Sequence, residues 1–153
     1  MSVLASSVMT MTTHTAELLH LDQDLAALET AQALLSRARD IEHGDPRGSY
    51  ELVHRAALRT AGVLVTRANR TRRRKLPLNV WTALDRMGGE RRRWAESAAR
   101  FVVERDRLDR DSRAIPDPYL LALHRESTSE RIDQVRRELL DSLAPSEAVA
   151  LAG

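Results

Sequence analysis

A run of basic side chains in the middle of the chain has the clearest capacity for chemistry. Residues 67–93 contain ten basic and two acidic side chains, so this segment carries +8; because the whole chain carries +2, the remainder carries −6. Guanidinium clusters bind the phosphates of a nucleic-acid backbone without reading its sequence. The alternative is a solvated loop with arginine-rich flanks. The residues predicted to contact nucleic acid or another polyanion are Arg67, Arg70, Arg72, Arg73, Arg74, Lys75, Arg91, Arg92 and Arg93.

Histidine is the second residue type with possible chemistry. His54 lies between Val53 and Ala57 on the apolar face of a predicted helix, where a single histidine is usually a core or interface residue with one hydrogen bond. The remaining histidines show neither a paired metal-ligand spacing nor an HExxH motif. They are His14, His20, His43 and His124. We therefore expect no metal site.

The composition excludes several classes of function. The chain has no cysteine, which excludes a thiol nucleophile and a cysteine-based metal or iron–sulfur site. It contains no glycine-rich phosphate loop and no apolar run of about 20 residues that could span a bilayer. We expect no cofactor. The basic segment lacks the bulky apolar residues that anchor an interfacial helix, so we also expect no membrane contact. The five aromatic rings are scattered and predicted to anchor a core; they are Tyr50, Trp81, Trp94, Phe101 and Tyr119.

The apolar periodicity predicts an all-α fold of four to five helices in an up-and-down bundle. A leucine stripe places the first helix within 15–43. Asp45-Pro46 starts a second helix that ends near Asn69, and a short helix follows Asn79 and ends at Gly88-Gly89. Two longer helices are predicted at about 90–112 and 119–143, the latter with a capping box at 127–130 where it could restart.

The ends of the chain are predicted to differ from this bundle. Residues 1–13 are small and polar and lack the basic start of a signal peptide, so we expect a disordered leader. Residues 14–144 form the predicted bundle, and residues 145–153, which follow a proline, are predicted to fray. Without a targeting segment the protein is expected to be cytoplasmic.

Residues 45–69 resemble the second helix of a family of small actinobacterial HEPN-domain proteins. In that family a D-P element is followed by Tyr, then His, then a helix of Ala, Leu and Arg. The matching residues here are Asp45, Pro46, Tyr50, His54, Ala57, Leu58 and Arg59. The resemblance continues through the basic connection to Val80-Trp81, Trp94 and Phe101, and it covers roughly residues 30–105.

The resemblance implies a HEPN bundle that forms a homodimer. Many HEPN proteins are ribonucleases that use an R-x(4–6)-H motif, whereas others bind nucleotides, nucleic acid or proteins without catalysis. Arg47 and His54 match the motif, and so do Arg37 and His43. The family's Arg aligns with Ser49, two residues after Arg47. In a ribonuclease, His54 would be the general base and Arg47 would stabilise the transition state.

Three functions therefore remain open. The first is a non-catalytic HEPN-like module that contacts nucleic acid or an acidic protein through residues 67–93. The second is a metal-independent endoribonuclease that uses Arg47 and His54. The third is a structural partner of another protein, with the leucine stripe of the first helix as its interface.

Overall fold

A computed structural model describes residues 2–143, and all regular structure in that range is α-helical. The helices are α1 (Ser2–Ile41), α2 (Pro46–Thr71), α3 (Val80–Met87), α4 (Gly89–Arg110) and α5 (Pro118–Asp141). The prediction of an all-α fold with four to five helices is confirmed. The predicted tail, residues 145–153, lies outside the described residues. None of the described helices is both long and apolar enough to span a bilayer.

The core of the bundle divides into two apolar clusters. In one, Leu28 and Leu64 meet Trp94 of α4 and Leu139 of α5. In the other, Leu35 of α1 packs with residues of α2 and α5 that include Val53, Leu121 and Ile132. Both clusters use apolar residues that recur every three to four positions, so each long helix buries a single stripe. Tyr119 is the exception among the predicted aromatic anchors, because 69% of it is exposed.

Short polar signals fix where the helices begin. The Asp45 side chain accepts a hydrogen bond from the Gly48 N–H, with Pro46 in the first turn of α2. The side chains of Asn79 and Asp117 cap α3 and α5 in the same way, and Pro118 follows Asp117. Gly88 and Gly89 separate α3 from α4 with φ values of +72° and +55°, which favour glycine. These predicted boundaries are confirmed.

Two stretches differ from the sequence expectation. Helix α1 begins at Ser2 and includes most of the segment expected to be a disordered leader, although residues 5–20 are exposed. Thr10 and Thr12 donate their hydroxyls to carbonyls four residues earlier, and the segment has no glycine or proline to interrupt a helix. Helix α5 runs through the capping box at 127–130 without a restart, because Thr128 is buried in the bundle.

The leucine stripe of α1 is used within the chain. Leu28 and Leu35 are buried in the core, and Leu21 and Leu25 pack against it. The stripe is therefore an internal packing surface, which corrects its predicted use as an interface for another protein. The exposed large apolar side chains of α1 are Val8, Met9, Met11, Leu18 and Leu19.

Candidate functional site

The connection after α2 presents a cluster of exposed cations, which we call the basic loop and define as residues 72–75. All four side chains are exposed. The Lys75 ammonium donates to the carbonyls of Asn69 and Arg72, and Leu76 N donates to the Asn69 side chain at 2.9 Å. These bonds fold the loop back onto the carboxyl end of α2, where positive charge is favoured by the helix dipole.

The two central arginines of the basic loop have no partner within the part of the chain that the structure describes. Among the described residues, the Arg73 and Arg74 guanidinium groups make no hydrogen bond or ion pair. Arg72 donates from Nε to the Arg74 carbonyl at 3.4 Å and pairs with no carboxylate of the described residues. The loop therefore presents several charges whose hydrogen-bond donors are available to a ligand.

Other arginines of the predicted set are already paired. Arg70 holds Asp24 of α1 with two bonds of 2.7 and 2.8 Å, and Arg91 makes two bonds to Glu138 of α5. Nearer pairs join Arg93 to Glu90 and Arg92 to Asp85. Two of these carboxylates come from the acidic remainder of the chain, so the sequence overstates the charge available on residues 67–93. Arg67 is half-buried beside α1 and has no ion-pair partner among the described residues.

Arg47 closes the carboxyl end of α4. Its guanidinium donates to the carbonyls of Asp111 and Ala114 through Nη1 and to that of Leu108 through Nη2, each at 2.9 Å. The last carbonyls of a helix lack partners within it, and a cation there also complements the dipole. This arrangement accounts for Arg47 as an anchor between the start of α2 and the α4–α5 connection.

His54 lies inside the bundle against a second histidine. Its Nδ1 is 3.3 Å from Nε2 of His124, and the two residues are 3% and 2% exposed. The Phe101 ring stacks on His124 with centroids 4.2 Å apart, and the Tyr50 hydroxyl donates to the Phe101 carbonyl at 2.7 Å. The pair therefore sits in a packed, mostly aromatic environment.

Burial keeps both imidazoles neutral. Desolvation, with a smaller contribution from the Arg105 guanidinium, lowers the pKa of His54 to about 4. Desolvation and the neighbouring His54 lower the pKa of His124 to about 3. In the neutral pair the N–H of one ring donates a hydrogen bond to the unprotonated nitrogen of the other. Among the described residues no group of three His, Asp or Glu side chains could hold a metal ion.

The structure does not bring together the residues of the expected catalytic pair. Arg47 directs its hydrogen bonds at backbone carbonyls, and His54 faces His124 inside the core. A general base must reach the proton that it removes, either directly or through one water. In the second motif match, Arg37 and His43 are exposed and neither side chain has a hydrogen-bond partner among the described residues.

His124 was missed as a partner of His54, although the sequence contains a signal for it. The predicted stripe of the last helix began at Ile132. The same three-to-four spacing continues towards the amino end through Thr128 and His124 to Leu121, and all of these residues are buried. Two histidines on apolar faces of neighbouring helices are then candidates for a mutual hydrogen bond.

Comparison with known proteins identifies one family. Residues 41–115 match the model of a family described as SAV_6107-like HEPN. The match spans α2, α3 and α4, and includes both the basic loop and His54. No curated protein and no solved structure matches the chain.

Proposed function

The chain belongs to the HEPN-domain proteins, and on that premise we propose that it is a non-catalytic binding module that contacts nucleic-acid phosphates through its basic loop. The observation that supports this most directly is the exposure of Arg73 and Arg74, which have no partner within residues 2–143. Charge-assisted hydrogen bonds from guanidinium groups to phosphate are strong and frequently bidentate. The loop would bind the backbone and leave the base sequence unread.

The surroundings of Arg47 and His54 support binding without catalysis. The Arg47 guanidinium donates to three carbonyls, and His54 is enclosed by other side chains. To stabilise a transition state, Arg47 would have to break these hydrogen bonds. To act as a general base, His54 would have to become accessible to substrate. We expect a mixed RNA pool to stay intact in the presence of EDTA; cleavage that is lost in a His54→Ala variant would instead support the ribonuclease.

Fluorescence anisotropy with labelled RNA and DNA at several salt concentrations tests the proposal. Each phosphate that is neutralised on duplex DNA contributes about −0.9 to the slope of log K against log salt concentration. The double variant Arg73→Gln/Arg74→Gln removes two charges without removing an internal contact. We expect it to bind more weakly and its salt slope to flatten by about 2.

A matched control removes the same charge from the far end of the bundle. Arg110 and Arg113 are exposed, and their side chains have no partner among the described residues. They lie near the start of α2, as the bonds from Arg47 to the Asp111 and Ala114 carbonyls indicate. The basic loop follows the other end of α2, and the length of this helix at 1.5 Å per residue places the two pairs of arginines about 35 Å apart.

The two variants separate local contact from bulk charge. We expect Arg110→Gln/Arg113→Gln to leave the salt slope unchanged. Equal losses from both variants would mean that net charge, not the basic loop, drives binding. Binding of an acidic polypeptide such as polyglutamate without any nucleic-acid binding would overturn the proposal in favour of a protein partner.

A further inference from the structure

A cleft between α4 and α5, closed at its base by α3 and α2, has no role in the proposed function. It encloses about 310 Å³. Its walls include Trp81, Trp94, Phe101, His124, Thr128 and Arg131. The two tryptophans meet edge to face, with ring centroids 6.1 Å apart at 72°. Aromatic rings form only part of the lining, beside hydroxyl, amide and charged side chains. A concave site of this size is in the range that binds small molecules.

Several polar groups of the residues that line the cleft have no hydrogen-bond partner in the described part of the chain. Thr128 is 3% exposed, yet its hydroxyl makes no hydrogen bond within the described residues, whereas the buried Thr60 donates to the Ala56 carbonyl at 2.8 Å. The indole N–H groups of Trp81 and Trp94 are likewise unbonded there. Because no fully buried polar side-chain atom of the described residues lacks a partner, these groups are not completely enclosed, and the residues that carry them line the cleft.

The charges at the mouth of the cleft are compensated or solvated. Arg131 donates to Glu90 and Gln134, each at 3.1 Å, and its guanidinium carbon lies 5.0 Å from the centre of the Trp94 ring. The Glu130 carboxylate is exposed. At the deep end His124 is buried and neutral, so a charged ligand would lose its hydration there without gaining an ion-pair partner.

We propose that this cleft binds a small, flat, uncharged aromatic molecule that carries an amide or carbonyl group. Its ring would pack against Trp81, which is less buried than Trp94 and Phe101. Its oxygen would accept a hydrogen bond from an indole N–H or from the Thr128 hydroxyl, either of which is otherwise unpaired. The cleft volume of about 310 Å³ suits a molecule with one or two rings.

Intrinsic fluorescence reports on this site without a label. The chain has two tryptophans, and both line the cleft. Benzamide is the probe, with benzoate and benzylamine as an anion and a cation of similar size. We expect saturable quenching by benzamide with a Kd of roughly 1 mM or below, and binding of both charged analogues at least tenfold weaker.

Two variants of α5 locate the binding. Thr128→Val keeps the shape of the side chain but removes the hydroxyl, and we expect it to weaken benzamide binding about fivefold. Ser127→Leu fills the cleft from its wall and should abolish binding. Its control is Ser129→Leu on the same helix, because Ser129 does not line the cleft. Circular dichroism and thermal melting establish that each variant is folded.

Three results would overturn the proposal. The first is the absence of saturable quenching up to roughly 10 mM benzamide. The second is tighter binding of benzoate or benzylamine, which would contradict the argument from compensated charge. The third is a folded Ser127→Leu protein that still binds benzamide as the parent chain does, which would place the ligand elsewhere.

Discussion

His54 Nδ1 and His124 Nε2 lie 3.3 Å apart inside the bundle and join α2 to α5 by a buried polar contact. The contact connects helices from different parts of the sequence, and aromatic rings surround it. A protonated imidazole there would lack both water and an acidic partner, so the pair is compatible with the fold only while it is neutral.

The stability of the protein should therefore fall in mildly acidic solution. In the unfolded chain both imidazoles take up protons below a pKa of about 6.5. In the folded chain they do so only near pH 4 and 3. The unfolded state thus binds more protons as the pH falls below 6.5, and the free energy of unfolding decreases, by about 4 kcal/mol between pH 7 and pH 5. Urea unfolding at a series of pH values measures this.

Variants assign the effect to the pair. His124→Asn should remove about half of the decrease between pH 7 and pH 5, whatever its absolute stability. His14→Asn/His20→Asn, which replaces two exposed histidines, should leave the profile unchanged. The carboxylates Glu51 and Glu104 do not contribute to the change in stability between pH 7 and pH 5. Arginine partners lower the pKa of each, so they titrate below the window in question. A flat profile above pH 5 would contradict the assignment.

Arg47 should matter for stability rather than for catalysis. Loss of its hydrogen bonds to Leu108, Asp111 and Ala114 leaves the end of α4 without its cap, and we expect Arg47→Gln to lower the free energy of unfolding by about 2 kcal/mol. Arg47→Lys should recover little of it, because a single ammonium cannot reproduce the planar arrangement of guanidinium donors. Urea unfolding at pH 7 is the measurement, and an unchanged midpoint in Arg47→Gln would contradict the capping role.

The sequence predicts the helices of this protein better than it predicts which side chains meet. Asp45-Pro46, Asn79 and Asp117-Pro118 mark helix starts because capping depends on residues only a few positions apart. Arg47 and His54 share a face by spacing, but their contacts come from other elements. Periodicity within one helix contains no information about which carbonyl or ring arrives from another.

The charge pattern shows the same limit. The sequence locates the basic loop correctly, because residues 72–75 follow the end of a helix and remain exposed. It cannot show that Asp24 approaches Arg70 across 46 positions or that Glu138 approaches Arg91 across 47. A charge sum over residues 67–93 counts each arginine as available, because it leaves out carboxylates that approach from other parts of the sequence.

We expect the exposed start of α1 to contact a second copy of the chain. Val8 is 63% exposed and Met11 is 72% exposed, and they lie three residues apart on one helix face. We expect the full chain to be a dimer in light scattering and Val8→Glu/Met11→Glu to be a monomer with the same helix content. The same charges at Thr10 and Thr13, which are exposed and lie on the opposite face of α1, are the control. Monomeric parent protein would contradict this interface.

Arg70 and Arg73 should behave oppositely, although both belong to the predicted basic set. Arg70→Gln leaves Asp24, which is 5% exposed, without its bidentate partner, so we expect the free energy of unfolding to fall by about 2–3 kcal/mol. Arg73→Gln breaks no contact and should change it by less than about 0.5 kcal/mol. In anisotropy with duplex DNA the order should reverse, since Arg73→Gln flattens the salt slope by about 0.9 and Arg70→Gln leaves it unchanged. Equal flattening by both variants, measured where both are folded, would show that Arg70 leaves Asp24 to bind phosphate.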